Sequence, residues 1–168
     1  MELNWMVWVL ALGVPLAHAD ECNNALAAFD YAQASQLAQA QLVAAPADPV
    51  ARMCAARAAY ETGHFADALQ HLRAVEQQRP QVELRTYAYN WLTVTLRRLG
   101  RAEDAAKVLE PIVPGMKVKD DQQYYDRLMM YKGAKKPEEL LAPGRDPVSE
   151  ATLAYGVANW HLYNGRKD

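Results

Sequence analysis

The sequence predicts an all-α chain made of stacked helical hairpins. Its composition is rich in Ala, Leu and Gln and poor in Phe and Gly, which favours helix, and no long β-branched alternating run is present. Apolar residues recur at helical spacing in successive segments. The start Asp48-Pro49, an N-cap followed by a first-turn proline, returns at Asp146-Pro147, and the turn glycines Gly63 and Gly100 stand 37 positions apart.

A chain of 168 residues suggests one domain with a sizeable core. Its 18 basic and 20 acidic residues nearly balance, so neither nucleic acid nor an anionic membrane is expected as the main partner.

The N-terminus, residues 1–19, reads as a signal peptide. Trp5 to Val14 is apolar, Pro15 breaks the run, and Ala17-His18-Ala19 fits the small-x-small cleavage rule. The n-region carries Glu2 and no Lys or Arg, so a buried N-terminal helix is the competing reading. The apolar run falls short of the ~20 residues that span a bilayer. No stable membrane span is expected after cleavage, and the chain is expected to be exported, periplasmic or secreted. Asp20 and Glu21 before Cys22 disfavour a lipoprotein.

Residues 20–168 then form one helical domain. Asp20 to Ala28 is a short helix, Phe29-Asp30-Tyr31 a turn, and Tyr31 to Ala45 the next helix, closed by Pro46. In the second unit, 49–80, Ala51, Ala55, Ala58 and Ala59 recur on one face and Gly63 breaks the pattern. Phe65, Ala68, Leu69, Leu72 and Val75 then mark a second helix, and Pro80 ends it. The third unit, about 82–114, carries Tyr89, Leu92, Thr93 and Leu96, turns at Gly100, and continues through Ala102, Ala105, Leu109 and Ile112. An irregular hairpin, 119–142, begins with a helix from Lys119 to Tyr131 capped by Asp120 or Asp121; a short helix from Pro137 to Leu141 follows. A terminal helix, within 147–164, runs from Val148 to Tyr163 and ends at Asn164-Gly165.

The second unit resembles a tetratricopeptide repeat, through Ala56 in its first helix, Gly63 at the turn, Phe65, Ala68 and Leu72 in its second, and the closing Pro80. The family's period is about 34 residues, so the third unit carries a short insertion around Gln78 to Leu84. The resemblance implies a solenoid of helix-turn-helix repeats wound as a right-handed superhelix, with the first helices lining a concave groove for a protein or peptide partner. The first unit, with Phe29 in the glycine position, reads as a degenerate terminal repeat. The residues implied to line the groove are Arg57, Tyr60, Tyr87, Asn90, Arg97, Arg98, Tyr155 and Asn159. Arg57, Tyr60, Asn90, Arg97 and Arg98 are expected to be more exposed than Ala56, Phe65, Ala68, Leu72, Leu92, Ala105 and Leu109.

Cys22 and Cys54 are the only cysteines. In an exported protein such a pair suggests a disulfide, and the resemblance places the two in neighbouring first helices. Two buried thiols are the alternative.

No catalytic set is present. The serines Ser35 and Ser149 sit in no nucleophile turn, and no phosphate-cradling glycine loop occurs. His64 and His71 are two helical turns apart, too far to share a metal alone, and Glu138-Glu139 reads as a helix start, so neither a metal nor a cofactor is expected. The expected function is therefore a non-catalytic scaffold of the cell envelope or secretory space. Alternatives are a self-association module, an accessory domain of a larger enzyme, or part of a longer repeat protein. Val148 to Tyr163 is apolar on several sides, so a homo-oligomer through this helix is one expected way to cover it.

Overall fold

The computed structural model describes residues 17–119 and 121–166, with side chains from residue 20 onward. The described residues form an all-α structure of nine helices: α1 Ala17–Ala27, α2 Tyr31–Ala44, α3 Pro49–Glu61, α4 Phe65–Gln77, α5 Val82–Arg98, α6 Ala102–Leu109, α7 Gln122–Tyr131, α8 Pro137–Leu140 and α9 Pro147–Tyr163. The expected signal peptide falls mostly outside the described residues; Ala17-His18-Ala19 is the first turn of α1.

Consecutive helices pack against one another from α1 to α6, and the odd helices also adjoin in order: α1 on α3, α3 on α5, α5 on α7, α7 on α9. One local device recurs at the end of each odd helix. A residue with positive φ follows the helix, at Phe29, Gly63, Gly100, Gly133 and Gly165, with spacings of 34, 37, 33 and 32 residues. Each time, the N–H of the next residue reaches back over a full turn, as from His64 to the Ala59 carbonyl at 2.8 Å and from Arg101 to the Leu96 carbonyl at 2.8 Å. This double hydrogen bond closes a helix with a left-handed residue, normally glycine because a Cβ is strained there. Phe29 accepts that strain and is itself 77% exposed.

Aspartate side chains cap two odd helices. Asp146 Oδ1 accepts from the N–H groups of Val148 and Ser149. Asp48 does more. Its Oδ1 accepts from Val50 at 2.8 Å and Ala51 at 3.2 Å, while Oδ2 accepts from Gln41 Nε2 at 2.6 Å, tying α2 to the head of α3. Asp48→Ala should cost about 1–2 kcal/mol through the lost cap, lowering Tm by a few degrees in a thermal melt.

The core is continuous but layered. Ala34, Ala38 and Ala58 surround Cys22 and Cys54. Met53, Ala56, Leu72, Val75, Leu92, Leu96 and Val108 fill the middle, and of these the helical spacing predicts Leu72, Val75, Leu92 and Leu96. Leu109, Ile112, Tyr125 and Leu128 join α6 to α7, and Met130, Leu140, Leu153 and Val157 seat α9. The helix expected from Lys119 begins three residues later, at Gln122. Asp121 stands at its cap position in a left-handed conformation, and its side chain accepts no capping bond from the helix.

Cys22 and Cys54 form a disulfide between α1 and α3, with their Cα atoms 6.4 Å apart. Of the two readings of this pair, the bridge holds, because α1 lies directly against α3.

Candidate functional site

The odd helices bring most of the expected groove residues together, but the groove they line is largely filled. Its centre is Trp91 on α5. Tyr60 meets the indole edge-on at 5.2 Å and Tyr87 at 6.5 Å, while Tyr155 lies tilted at 6.3 Å. The Arg57 guanidinium sits 5.3 Å from the Trp91 ring centroid, within cation–π range. Tyr87 also packs edge-on against Tyr124 at 4.8 Å.

The far end of the cluster closes on itself. The Tyr60 and Tyr163 hydroxyl oxygens are 3.4 Å apart, so α9 meets α3 across the inner face. Tyr163 Oη also lies 3.3 Å from the Val94 carbonyl oxygen and 3.3 Å from Asn159 Oδ1.

Asn90 and Tyr60 are buried, contrary to the exposure expected of them. Asn90 is 1% exposed because α7 packs on α5 there: its Nδ2 donates to the Thr86 carbonyl at 2.9 Å and the Tyr124 carbonyl at 2.8 Å. Asn159 is likewise buried, with Nδ2 donating to the Tyr155 carbonyl. Arg97 is half-buried and lines a small pocket of about 60 Å³ with Val94, Tyr131, Trp160 and Tyr163. Arg98 is exposed and covers the Phe65 ring at 4.8 Å, outside the cluster's centre.

What remains open is a cleft of about 260 Å³ lined by Arg57, Glu61, Trp91, Tyr124, Arg127, Ala151, Thr152 and Tyr155. Arg127 was not among the expected residues. Its guanidinium lies 5.8 Å from the ring centroid of Tyr124, 5.9 Å from that of Tyr131 and 5.5 Å from that of Tyr155. Its Nη2 donates to the Tyr131 hydroxyl at 3.3 Å, and Tyr131 in turn donates to the Gly156 carbonyl at 3.2 Å. Gly156 makes this possible. A Cβ at that position would stand 2.6 Å from Arg127 Nε and 2.7 Å from its Cγ, so the arginine lies directly on the backbone of α9. The sequence carried one signal of this contact: a glycine inside an otherwise continuous helix marks a close approach.

Burial sets the protonation of the site. It pushes the Tyr124 phenol up to about 12, with Tyr87 adding to the effect and Arg127 and Arg57 opposing it. Tyr60 and Tyr155 are raised further, again chiefly by burial. These phenols therefore remain hydrogen-bond donors throughout the physiological range. The Glu61 carboxyl at the rim is raised by desolvation, and Arg57 partly offsets this.

Among the described residues, no group of three His, Cys, Asp or Glu side chains is placed to hold a metal. His64 Nδ1 instead lies 2.9 Å from Thr62 Oγ1, and His71 is half-buried on α4. No protein-family model, curated protein or solved structure matches the chain.

Proposed function

We propose that this chain is an exported helical-repeat protein of the tetratricopeptide type, wound as a right-handed solenoid, that holds a protein partner on the inner side of its odd helices without catalysing a reaction. The observation that carries this reading is the turn recurring at Phe29, Gly63, Gly100, Gly133 and Gly165. It sets five odd helices side by side, and their shared side presents Arg57, Trp91, Tyr124, Arg127 and Tyr155 around one cleft. Arg, Trp and Tyr are the residue types that anchor protein interfaces, because each combines a large apolar area with directional donors.

Export is supported by the Cys22–Cys54 bridge, since disulfides persist in oxidising compartments. Cleavage after Ala19 would leave α1 from Asp20 onward, with Cys22 still in place. Among the described residues, no helix is long and apolar enough to cross a membrane.

The test is site-specific photocrosslinking in the envelope fraction. A benzophenone amino acid replacing Thr152, at the cleft, should give an adduct with a second polypeptide, while the same replacement at Glu103 on α6 should give none. No adduct at Thr152, or adducts from Glu103 alone, would overturn the reading. An adduct of twice the chain's mass would favour self-association instead. That second reading is motivated by the exposed Leu141, Val148 and Leu162, of which Leu141 and Leu162 line an open groove of about 470 Å³ along α9.

A further inference from the structure

Arg127 is 3% exposed, and among the described residues no carboxylate lies within 4 Å of its guanidinium. The adjacent carboxylate, Asp126, is committed elsewhere: Lys135 Nζ is 2.6 Å from its Oδ1 and Arg145 Nη2 is 3.8 Å from its Oδ2. Three tyrosine rings and one hydroxyl contact the Arg127 guanidinium, and the one carboxylate lining the same cleft, Glu61, makes no ion pair with it. Effective penalties for burying a cation run to several kcal/mol, whereas each cation–π contact returns about 0.5–2 kcal/mol. The three ring contacts offset much of that penalty, and among the described residues no ion pair adds to them.

The same cleft holds further unmet donors. Arg57 Nε, Arg127 Nε and Trp91 Nε1 are all shielded from water and have no hydrogen-bond partner. Unpaired buried donors of this kind cost about 1–3 kcal/mol each and are uncommon. All three belong to residues that line the cleft, two of them arginines; Arg52 Nε and Arg85 Nε are unpartnered in the same way elsewhere in the fold.

We propose that this cleft binds a carboxylate, supplied by an acidic side chain of the partner polypeptide. This rests on the partner-binding reading above and names the chemistry the partner must present. A guanidinium offers two parallel N–H groups that match the two oxygens of a carboxylate. The Tyr124 and Tyr155 rings provide apolar walls for the methylene stem of a glutamate. A phosphate dianion fits less well. Glu61 at the rim repels any incoming anion and a dianion about twice as strongly as a carboxylate, and the cleft's donors are side chains on helices whose own N–H groups are already bonded along the helix.

The test is an indole ¹⁵N–¹H NMR titration of the full chain with its disulfide intact, following the Trp91 signal assigned through Trp91→Phe. The probes are N-acetyl-glutamate N-methylamide, its glutamine counterpart and inorganic phosphate. The glutamate probe should shift the Trp91 signal saturably, and the glutamine probe should bind about ten-fold more weakly or not at all. Arg57→Gln, a change at a half-exposed position, should weaken the glutamate probe about ten-fold while the melting temperature stays close to that of the parent. Arg127→Lys, which keeps the charge and loses the fork, should also weaken it. Equal shifts from glutamate and glutamine, no saturable shift, tighter binding of phosphate, or indifference to Arg57→Gln would each overturn the proposal. A Thr152 crosslink that persists alongside such a failure would leave partner binding standing and remove only the carboxylate.

Discussion

Reduction of the Cys22–Cys54 bridge is expected to lower the stability of the chain by roughly 3–4 kcal/mol, the chain-entropy value for a closed loop of this length. The bonded cysteines are 32 positions apart, and the bridge forbids the unfolded chain every conformation in which α1 and α3 separate. Little should be lost from the folded side. Both sulfurs are buried among Ala25, Leu26, Ala34 and Ala38, and they lie 3.6 and 3.5 Å from the Ala34 carbonyl oxygen. Once reduced, either thiol could donate to that oxygen. The effect should therefore appear as a lower denaturation midpoint in urea with reductant, with helical circular dichroism retained in buffer. Cys22→Ala combined with Cys54→Ala should reproduce the shift without reductant. A midpoint unchanged by both treatments would mean that the bridge does not form in the protein.

Gly156→Ala is the second substitution with a large expected effect, and two contributions oppose each other. Alanine in a helix interior is favoured over glycine by about 0.5–1 kcal/mol. Against this, the new Cβ would overlap the Nε, Cγ and Cδ atoms of Arg127, at 2.6, 2.7 and 2.8 Å. Overpacking costs typically 1–3 kcal/mol, and this position belongs at the upper end because Arg127 is held between the Tyr124, Tyr131 and Tyr155 rings. A net loss of about 2 kcal/mol is expected, together with displacement of α9 from α7. Thermal denaturation and the fluorescence of Trp160, which packs beside Leu153 and Val157, would report the two effects. A variant as stable as the parent would show that Arg127 can leave its place freely, and the buried-charge argument would weaken with it.

Much of the architecture was legible in the sequence because it is written in local rules. Asp48-Pro49 and Asp146-Pro147 start helices, Gly63, Gly100 and Gly165 end them, and the apolar spacing of Leu72, Val75, Leu92 and Leu96 marks core positions. The site was legible only in part. Arg57, Tyr87 and Tyr155 do border the central cluster, but the burial of Asn90 depends on the carbonyl of Tyr124, 34 positions away. Nothing in the repeat pattern of α5 announces that partner. Arg127 was missed for a related reason. Within a helix an arginine looks like a solvated residue until the glycine that admits it is found on another helix.

The contact between the Tyr60 and Tyr163 hydroxyls has a kinetic consequence. In a stack where each unit touches only its neighbours, folding can begin anywhere and propagate, and an end can fray by itself. Here residues 103 positions apart meet, so the last helix is linked to the second hairpin as well as to its immediate neighbour. Joining them requires the chain between to be ordered first, which raises the contact order and places this closure late in folding. Once made, it couples the two regions: opening α9 strips partners from Tyr60 as well as from α7, so the C-terminal helix and the α3–α4 hairpin should exchange their amide hydrogens as one cooperative unit.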